Sequence, residues 1–137
     1  KPALQEGKVV ICDRFTDSTR AYQAYGHGQE LEFINKVNDL VLQDFKPDIT
    51  FILDLPAKDG LARSERRQSE IGSDDSDSED RFEKLDVTFH EKLRQGFLEI
   101  ARREPERCVI IDALQTPSSI TKEIKVLIDK KMGGNNG

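Results

Sequence analysis

The sequence predicts an α/β protein built around a parallel β-sheet. Three short apolar runs rich in β-branched residues, at 9–12, 49–53 and 108–111, have the composition of strands buried on both faces. Helical segments separate these runs and are long enough to bring the chain back to the same edge of a sheet. This alternation favours a three-layer arrangement in which helices cover both faces of a parallel sheet.

The helices are predicted from apolar spacing and from end signals. Apolar residues recur at helical intervals over residues 31–41, which predicts a helix that stops before Pro47. A longer stripe over residues 82–100 predicts a second helix of about five turns. After the third strand, Thr116 and Pro117 supply an N-cap and a first-turn proline for a last helix.

Composition narrows the classes of protein to consider. The length of 137 residues suits one domain, and no apolar run reaches the length of a membrane span. No export signal is recognisable, which predicts a cytoplasmic location. A net charge of -5 argues against nucleic acid as a partner, whereas a small nucleotide needs only a local group of arginines. Cys12 and Cys108 adjoin apolar runs and are predicted to be small hydrophobes without a disulfide.

Two segments are predicted to be mobile. Residues 72–80 read GSDDSDSED and contain no apolar side chain, so that like charges repel and nothing anchors the loop. Residues 133–137 are predicted to be a flexible tail.

The first candidate site follows the first predicted strand. Ligands of parallel sheets bind beyond the carboxyl ends of the strands, where Asp13 and Arg14 lie. An aspartate there can orient a metal-bound water and an arginine can bind a phosphate, although the two side chains could equally pair with each other. The following turns add two hydroxyls, a ring and an amide, at Ser18, Thr19, Tyr22 and Gln23. Ring, amide and guanidinium suit a base, a sugar and a phosphate.

A second candidate site follows the second strand. Arg63, Arg66 and Arg67 lie close together after Asp59 and Gly60, which are predicted to start a helix. These arginines either decorate a surface helix or supply the positive charge that accelerates phosphoryl transfer.

The remaining polar candidates are predicted to be structural. Asp54 ends the second strand and is predicted to cap the helix that follows, although a place near phosphates is the alternative. His27 and His90 have no partner at the spacing of metal ligands. No metal ligand can be assigned from the sequence.

The segment VVICDRFTDSTRAYQ resembles the DRY, DRF or DRH segment of bacterial thymidylate kinases. The resemblance continues through PDITFILDLP, GLARSERR and FHEKLRQGFLEIARREPERCVIID, to about Asp112. It implies a P-loop-kinase-like fold and transfer of the γ-phosphoryl group of ATP to dTMP, giving dTDP, with Mg²⁺. It also implies a homodimer.

The resemblance implies a role for each candidate residue. Arg14 would bind the 5'-phosphate of dTMP, and Asp13 would lie near magnesium and the phosphates. Thr19 and Gln23 would face the thymine, with Tyr22 beside the deoxyribose. Ser18 would belong to the same dTMP site, and the lid arginines, Arg63, Arg66 and Arg67, would face ATP. Arg63 and Arg67 match lid positions where that family carries arginine and are therefore predicted to be catalytic, together with Asp13.

No GxxxxGK[ST] motif occurs in the printed sequence. The expectation is therefore that residues 1–137 are the C-terminal two-thirds of one nucleoside-monophosphate kinase domain, with a lid at 58–82, and are inactive alone. The central P-loop strand would be absent. The strands at 9–12 and 49–53 would then run parallel about 9 to 10 Å apart rather than ~4.8 Å, and 49–53 would pair with 108–111.

Two other interpretations stay open from the sequence. Deoxynucleoside kinases also carry a DR dipeptide and lid arginines, although the STRAYQ run disfavours them. A kinase-like binding or dimerisation module that never had a P-loop is the third possibility.

Overall fold

The computed structural model describes residues 2–43, 45–71 and 87–133. Helices alternate with a parallel pair of strands. In chain order the elements are α1 (Pro2–Gln5), α2 (Thr16–Arg20), a π-helix (Ala21–Gly26), α3 (Leu31–Leu42), β1 (Thr50–Asp54), α4 (Ala57–Ile71), α5 (Val87–Arg103), β2 (Cys108–Asp112) and α6 (Pro117–Gly133). Over the described ranges, none of these helices has the length and apolar character needed to cross a membrane.

The two strands confirm the predicted parallel α/β class. β1 pairs with β2 in parallel, from Thr50 opposite Cys108 to Asp54 opposite Asp112. The pairing predicted between residues 49–53 and 108–111 is thus confirmed to within one residue. Because the strands are parallel and in register, Asp54 and Asp112 end side by side at the carboxyl edge, where ligands bind in folds of this kind.

The strand predicted at residues 9–12 is wrong for the described part of the chain. These residues have no regular secondary structure, and Ile11 is 89% exposed. A strand requires a neighbour for its backbone N–H and C=O groups, and no described segment pairs with this one. β-Branched composition alone therefore overpredicted a strand here. The predicted distance of 9 to 10 Å between two parallel strands therefore does not apply, because residues 9–12 do not form a strand.

The helix predictions are confirmed where the structure describes the chain. α3 begins at Leu31, and Gln43 after it adopts a left-handed φ of 47° that ends the helix before Pro47. Thr116 caps α6, because its Oγ1 accepts a hydrogen bond from the Ser119 N–H at 3.3 Å. α5 carries the long apolar stripe from residue 87 onward. The first part of that stripe, the acidic segment 72–80 and residues 134–137 lie outside the described residues.

The core forms where α5 packs on the sheet and on the π-helix. Its buried members are Ala21, Ile52, Leu93, Ile100, Ala101 and Cys108. Gly96 of α5 is required by this packing, since a Cβ at that position would lie 2.7 Å from the Tyr25 side chain. α5 thereby fixes the place of the π-helix, which carries two candidate site residues.

Both cysteines are free thiols, but in different surroundings. Cys108 is buried in the core, and burial raises the pKa of its thiol. Cys12 is exposed, so its prediction as a small hydrophobe at the end of an apolar strand is wrong, because the segment before it is itself exposed.

Candidate functional site

A cleft of about 340 Å³ lies at the carboxyl end of β1, bordered by α4, α5 and the π-helix. Most of its wall is apolar. Its polar lining comes from Tyr22, Asp54, Ser64, His90 and Arg94. A largely apolar cavity with a few convergent polar groups is typical of a small-molecule site.

Asp54 and Arg94 form a two-pronged ion pair in this cleft. Arg94 Nε donates to Asp54 Oδ1 at 2.7 Å, and its Nη2 donates to Oδ2 at 3.1 Å. These hydrogen bonds lower the pKa of the Asp54 carboxyl, against the opposing effect of burial, and so keep it ionised. Glu91 accepts a third bond from Arg94 at 3.2 Å.

The role of helix cap predicted for Asp54 is wrong. Both of its carboxylate oxygens are taken by Arg94, which offers a planar fork that a backbone N–H cannot match. α4 begins at Ala57 rather than at Asp59, and its first turn is closed by the Pro56 carbonyl, which accepts from the Gly60 N–H at 3.1 Å.

The structure brings Arg14 and Tyr22 together. The guanidinium carbon of Arg14 lies 4.9 Å from the centre of the Tyr22 ring, a cation–π distance. Arg14 has a φ of 62°, a left-handed conformation that is uncommon for a residue with a side chain. Such backbone is found at binding sites more often than elsewhere. Asp13, next to it, is exposed.

The remaining candidates of this segment lie on α2 and the π-helix. Ser18 and Thr19 belong to α2, whereas Tyr22 and Gln23 belong to the π-helix. The His27 N–H donates to the Tyr22 carbonyl five residues earlier at 3.0 Å, which widens the turn. The uniform helical spacing assumed from the sequence therefore changes at Ala21. π-Helical turns occur frequently at functional sites.

The lid arginines lie on α4. Arg63 Nη1 donates to the Ala113 carbonyl at 3.0 Å, which ties the helix to the loop after β2. Arg66 and Arg67 are exposed. Arg67 lies one helical turn beyond Arg63, on nearly the same face of the helix.

The histidines do not form a metal centre with other described residues. The ring centres of His27 and His90 lie 5.4 and 5.7 Å from that of Phe89. Within residues 2–43, 45–71 and 87–133, no group of three or more His, Cys, Asp or Glu side chains is placed to hold a metal ion.

Sequence reasoning missed an ionic network at the opposite end of the strands. Arg107 donates to both carboxylate oxygens of Asp17, at 2.8 and 3.0 Å, and to Thr50 Oγ1 at 2.6 Å. Asp17 is only 5% exposed. Arg107 and Arg20 each donate to Glu104 Oε2 at 2.9 Å.

The pKa values within this network follow from its contacts. Burial opposes ionisation of Glu104, but the hydrogen bonds from Arg107 and Arg20 outweigh it and lower the pKa of the carboxyl. The bond to Asp17 raises the pKa of Arg107. No local sequence signal could have found the network, because Asp17 and Arg107 are 90 positions apart.

A parallel pair of strands with a cleft at its carboxyl edge, bordered by helices, defines an α/β protein with a small-molecule cleft. The family model for thymidylate kinase matches residues 1–124. The chain belongs to the thymidylate kinase family, and the resemblance found in the sequence is confirmed.

Relatives of known name agree with this family. The chain is 42% identical over 129 residues to a thymidylate kinase of Desulfovibrio desulfuricans, an alignment that covers 94% of this chain and 58% of the relative. It is 44% identical over 133 residues to a thymidylate kinase of Caulobacter vibrioides, covering 97% and 60% respectively. The chain therefore spans about three-fifths of the length of these relatives.

A solved structure supports the fold. The crystal structure of a thymidylate kinase from Ehrlichia chaffeensis superposes with a TM-score of 0.60 at 36% identity, covering 92% of this chain and 52% of that one. The predicted kinase-like α/β fold is confirmed.

Proposed function

We propose that the whole protein transfers the γ-phosphoryl group of ATP to dTMP, giving dTDP. The observation that carries the proposal is the Arg14 guanidinium held over Tyr22, a residue that also lines the cleft at the strand ends. A planar cation beside an aromatic ring suits a phosphate joined to a nucleoside. Membership of the thymidylate kinase family supports dTMP as the nucleotide that is bound.

In this proposal the acceptor is bound by the segment from residue 14 to residue 23. Arg14 binds the 5'-phosphate through its fork. Tyr22 packs beside the deoxyribose, and Thr19 and Gln23 face the thymine. Ser18 adds a hydroxyl from the same turn of α2.

The lid arginines serve the donor. Phosphoryl transfer is accelerated mainly by positive charge around the transferred group. Arg66 and Arg67 are exposed on α4, and Arg63 holds that helix against the loop at Ala113. We assign Arg67 to the transferred phosphoryl group, with Arg63 and Arg66 in support.

Magnesium is proposed to enter with ATP. Mg²⁺ keeps several waters and is commonly held by one or two carboxylates together with substrate phosphates. Asp13 offers an exposed carboxylate next to Arg14 and could be the protein ligand of such an ion. The Asp54 carboxylate is instead bound by Arg94. The bound ion would neutralise charge on the phosphates.

The decisive test is a coupled assay of the full-length protein with ATP and either dTMP or thymidine. We expect turnover of dTMP, and Arg14→Lys should raise the KM for dTMP by about tenfold or more, because a point charge replaces a fork. The same change at Arg102, which pairs with Glu99 on the surface of α5, is the control. The 137-residue chain alone is expected to be inactive because it contains no GxxxxGK[ST] motif.

Each contrary result of this assay has a distinct meaning. Phosphorylation of thymidine instead of dTMP would indicate a deoxynucleoside kinase. Nucleotide binding by the full-length protein without turnover would indicate a binding module. An unchanged KM for dTMP in Arg14→Lys would refute only the proposed role of Arg14 in binding the 5'-phosphate, and the proposed activity would stand.

We further propose that the protein is a homodimer that uses α3. Four apolar residues on one face of this helix are exposed to solvent, namely Phe33, Val37, Leu40 and Val41. Leu40 is 81% exposed, and a second copy would remove this stripe from water.

Light scattering of Leu40→Asp in the full-length protein tests the dimer. We expect a dimeric parent and a variant whose dissociation constant rises by at least about tenfold, since a charge would be buried at the contact. Lys36→Ala, at a polar position of α3 where Lys36 pairs with Glu32, should remain dimeric. A monomeric parent at micromolar concentration would contradict the proposal.

A further inference from the structure

A short series of hydrogen bonds beside the cleft joins three elements, α5, β1 and α4, through the loop after β2. Arg94 of α5 binds both carboxylate oxygens of Asp54 at the end of β1. The backbone carbonyl of Asp54 accepts from the Ala113 N–H at 2.9 Å. The Ala113 carbonyl in turn accepts from Arg63 of α4 at 3.0 Å. We call this series, Arg94 to Asp54 to Ala113 to Arg63, the lid relay.

Each step of the lid relay restricts geometry. The two parallel bonds between Arg94 and Asp54 fix both the distance and the plane of the pair. The side chains of Arg94 and Asp54 are only 27% and 22% exposed, so water competes weakly for them. Ala113 is buried, and its two backbone bonds point to β1 and to α4.

We propose that Arg94 is a positioning residue, which sets the orientation of α4 through the lid relay and so presents Arg67 to the transferred phosphoryl group. The proposal rests on the proposed function, from which the role of Arg67 comes. Arg94 itself does not touch the substrate in this assignment, since its guanidinium is engaged by Asp54 and Glu91.

The reason for expecting a catalytic effect is geometric. Arg63 and Arg67 lie one turn apart on α4, so a displacement of Arg63 moves Arg67 with it. A misplacement of about 1 Å at a reacting centre can cost about 10²-fold in rate. Breaking the relay at Arg94 should therefore lower turnover without removing a contact to either nucleotide.

The test uses Arg94→Lys and Asp54→Asn in the full-length protein. Lysine keeps the charge but loses the fork, and asparagine keeps the shape but loses the charge. Arg103→Lys is the matched control, because Arg103 also lies on α5 but pairs with Glu99 on the surface. Thermal unfolding monitored by circular dichroism establishes whether each variant is folded. If one of the two variants does not fold, the other is sufficient for the test.

Two measurements are made on each variant. We expect kcat for dTMP phosphorylation to fall by about 10- to 100-fold while the KM for dTMP changes by less than about threefold. We also expect amide hydrogen exchange across residues 57–71 to quicken by about tenfold, while exchange in α6 stays at the parental rate. The control should match the parent in both measurements.

The outcomes separate this inference from the proposed function. If the parent phosphorylates dTMP but the variants keep its kcat, or lose kcat without faster exchange in α4, the inference is overturned and the function stands. If the parent does not phosphorylate dTMP, the proposed function fails. Hydrogen exchange then tests only the hold of the lid relay on α4, since unchanged exchange in α4 overturns it and faster exchange supports it.

Discussion

Replacing Asp17 with alanine is expected to lower the free energy of unfolding by about 3 to 5 kcal/mol, because Arg107 would be left as a buried charge without its main partner. Asp17 is 5% exposed, and the side chain of Arg107 is 12% exposed. The bonds join α2 to the residue that precedes β2, so their loss also loosens the helix on which Ser18 and Thr19 lie.

Urea unfolding of the full-length protein and the variant measures this change. Arg103→Ala is the control, since it breaks an exposed pair and should leave the free energy of unfolding close to that of the parent. The double variant Asp17→Ala with Arg107→Ala should lose less than the sum of the single losses, because the second change removes the orphaned charge. A loss below about 1 kcal/mol for Asp17→Ala would show that water or Glu104 compensates Arg107 fully.

The elements that the sequence predicted well are those whose signals are local. The stripe of α3 and the cap of α6 at Thr116 depend on residues within a few positions of one another. Apolar composition also located β1 and β2, which pair with each other. The same composition at residues 9–12 gave a wrong strand, since strand formation depends on a neighbour that composition does not specify.

The residues of the candidate site also divide into those with a local sequence signal and those that depend on a distant partner. Arg14 and Tyr22 were identified from one short segment, and they lie in contact. The sequence did not predict Arg94 as the partner of Asp54, because the two residues are 40 positions apart. Which face of α5 turns toward β1 is decided by packing between distant parts of the chain. Gly96 shows how that side is set, since only a residue without a side chain lets α5 approach Tyr25.

Arg67→Ala is expected to lower kcat for dTMP phosphorylation by about 10³-fold in the full-length protein, the lower end of what a transition-state arginine contributes. The position of α4 supports this expectation. Arg63 contacts the Ala113 carbonyl beside the ends of β1 and β2, which turns that face of the helix toward the carboxyl edge of the sheet. Arg67 follows one turn later and is exposed on nearly the same face.

Steady-state kinetics with each substrate varied in turn distinguishes this role from substrate binding. If Arg67 acts only as charge develops on the transferred group, both KM values should change by less than about threefold while kcat falls. Arg67→Lys should recover part of the loss, because a positive charge returns without the planar fork. Arg102→Ala, at an exposed position of α5, should keep the parental kcat. An effect confined to the KM for dTMP would instead assign Arg67 to acceptor binding, and an unchanged kcat would exclude it from the transition state.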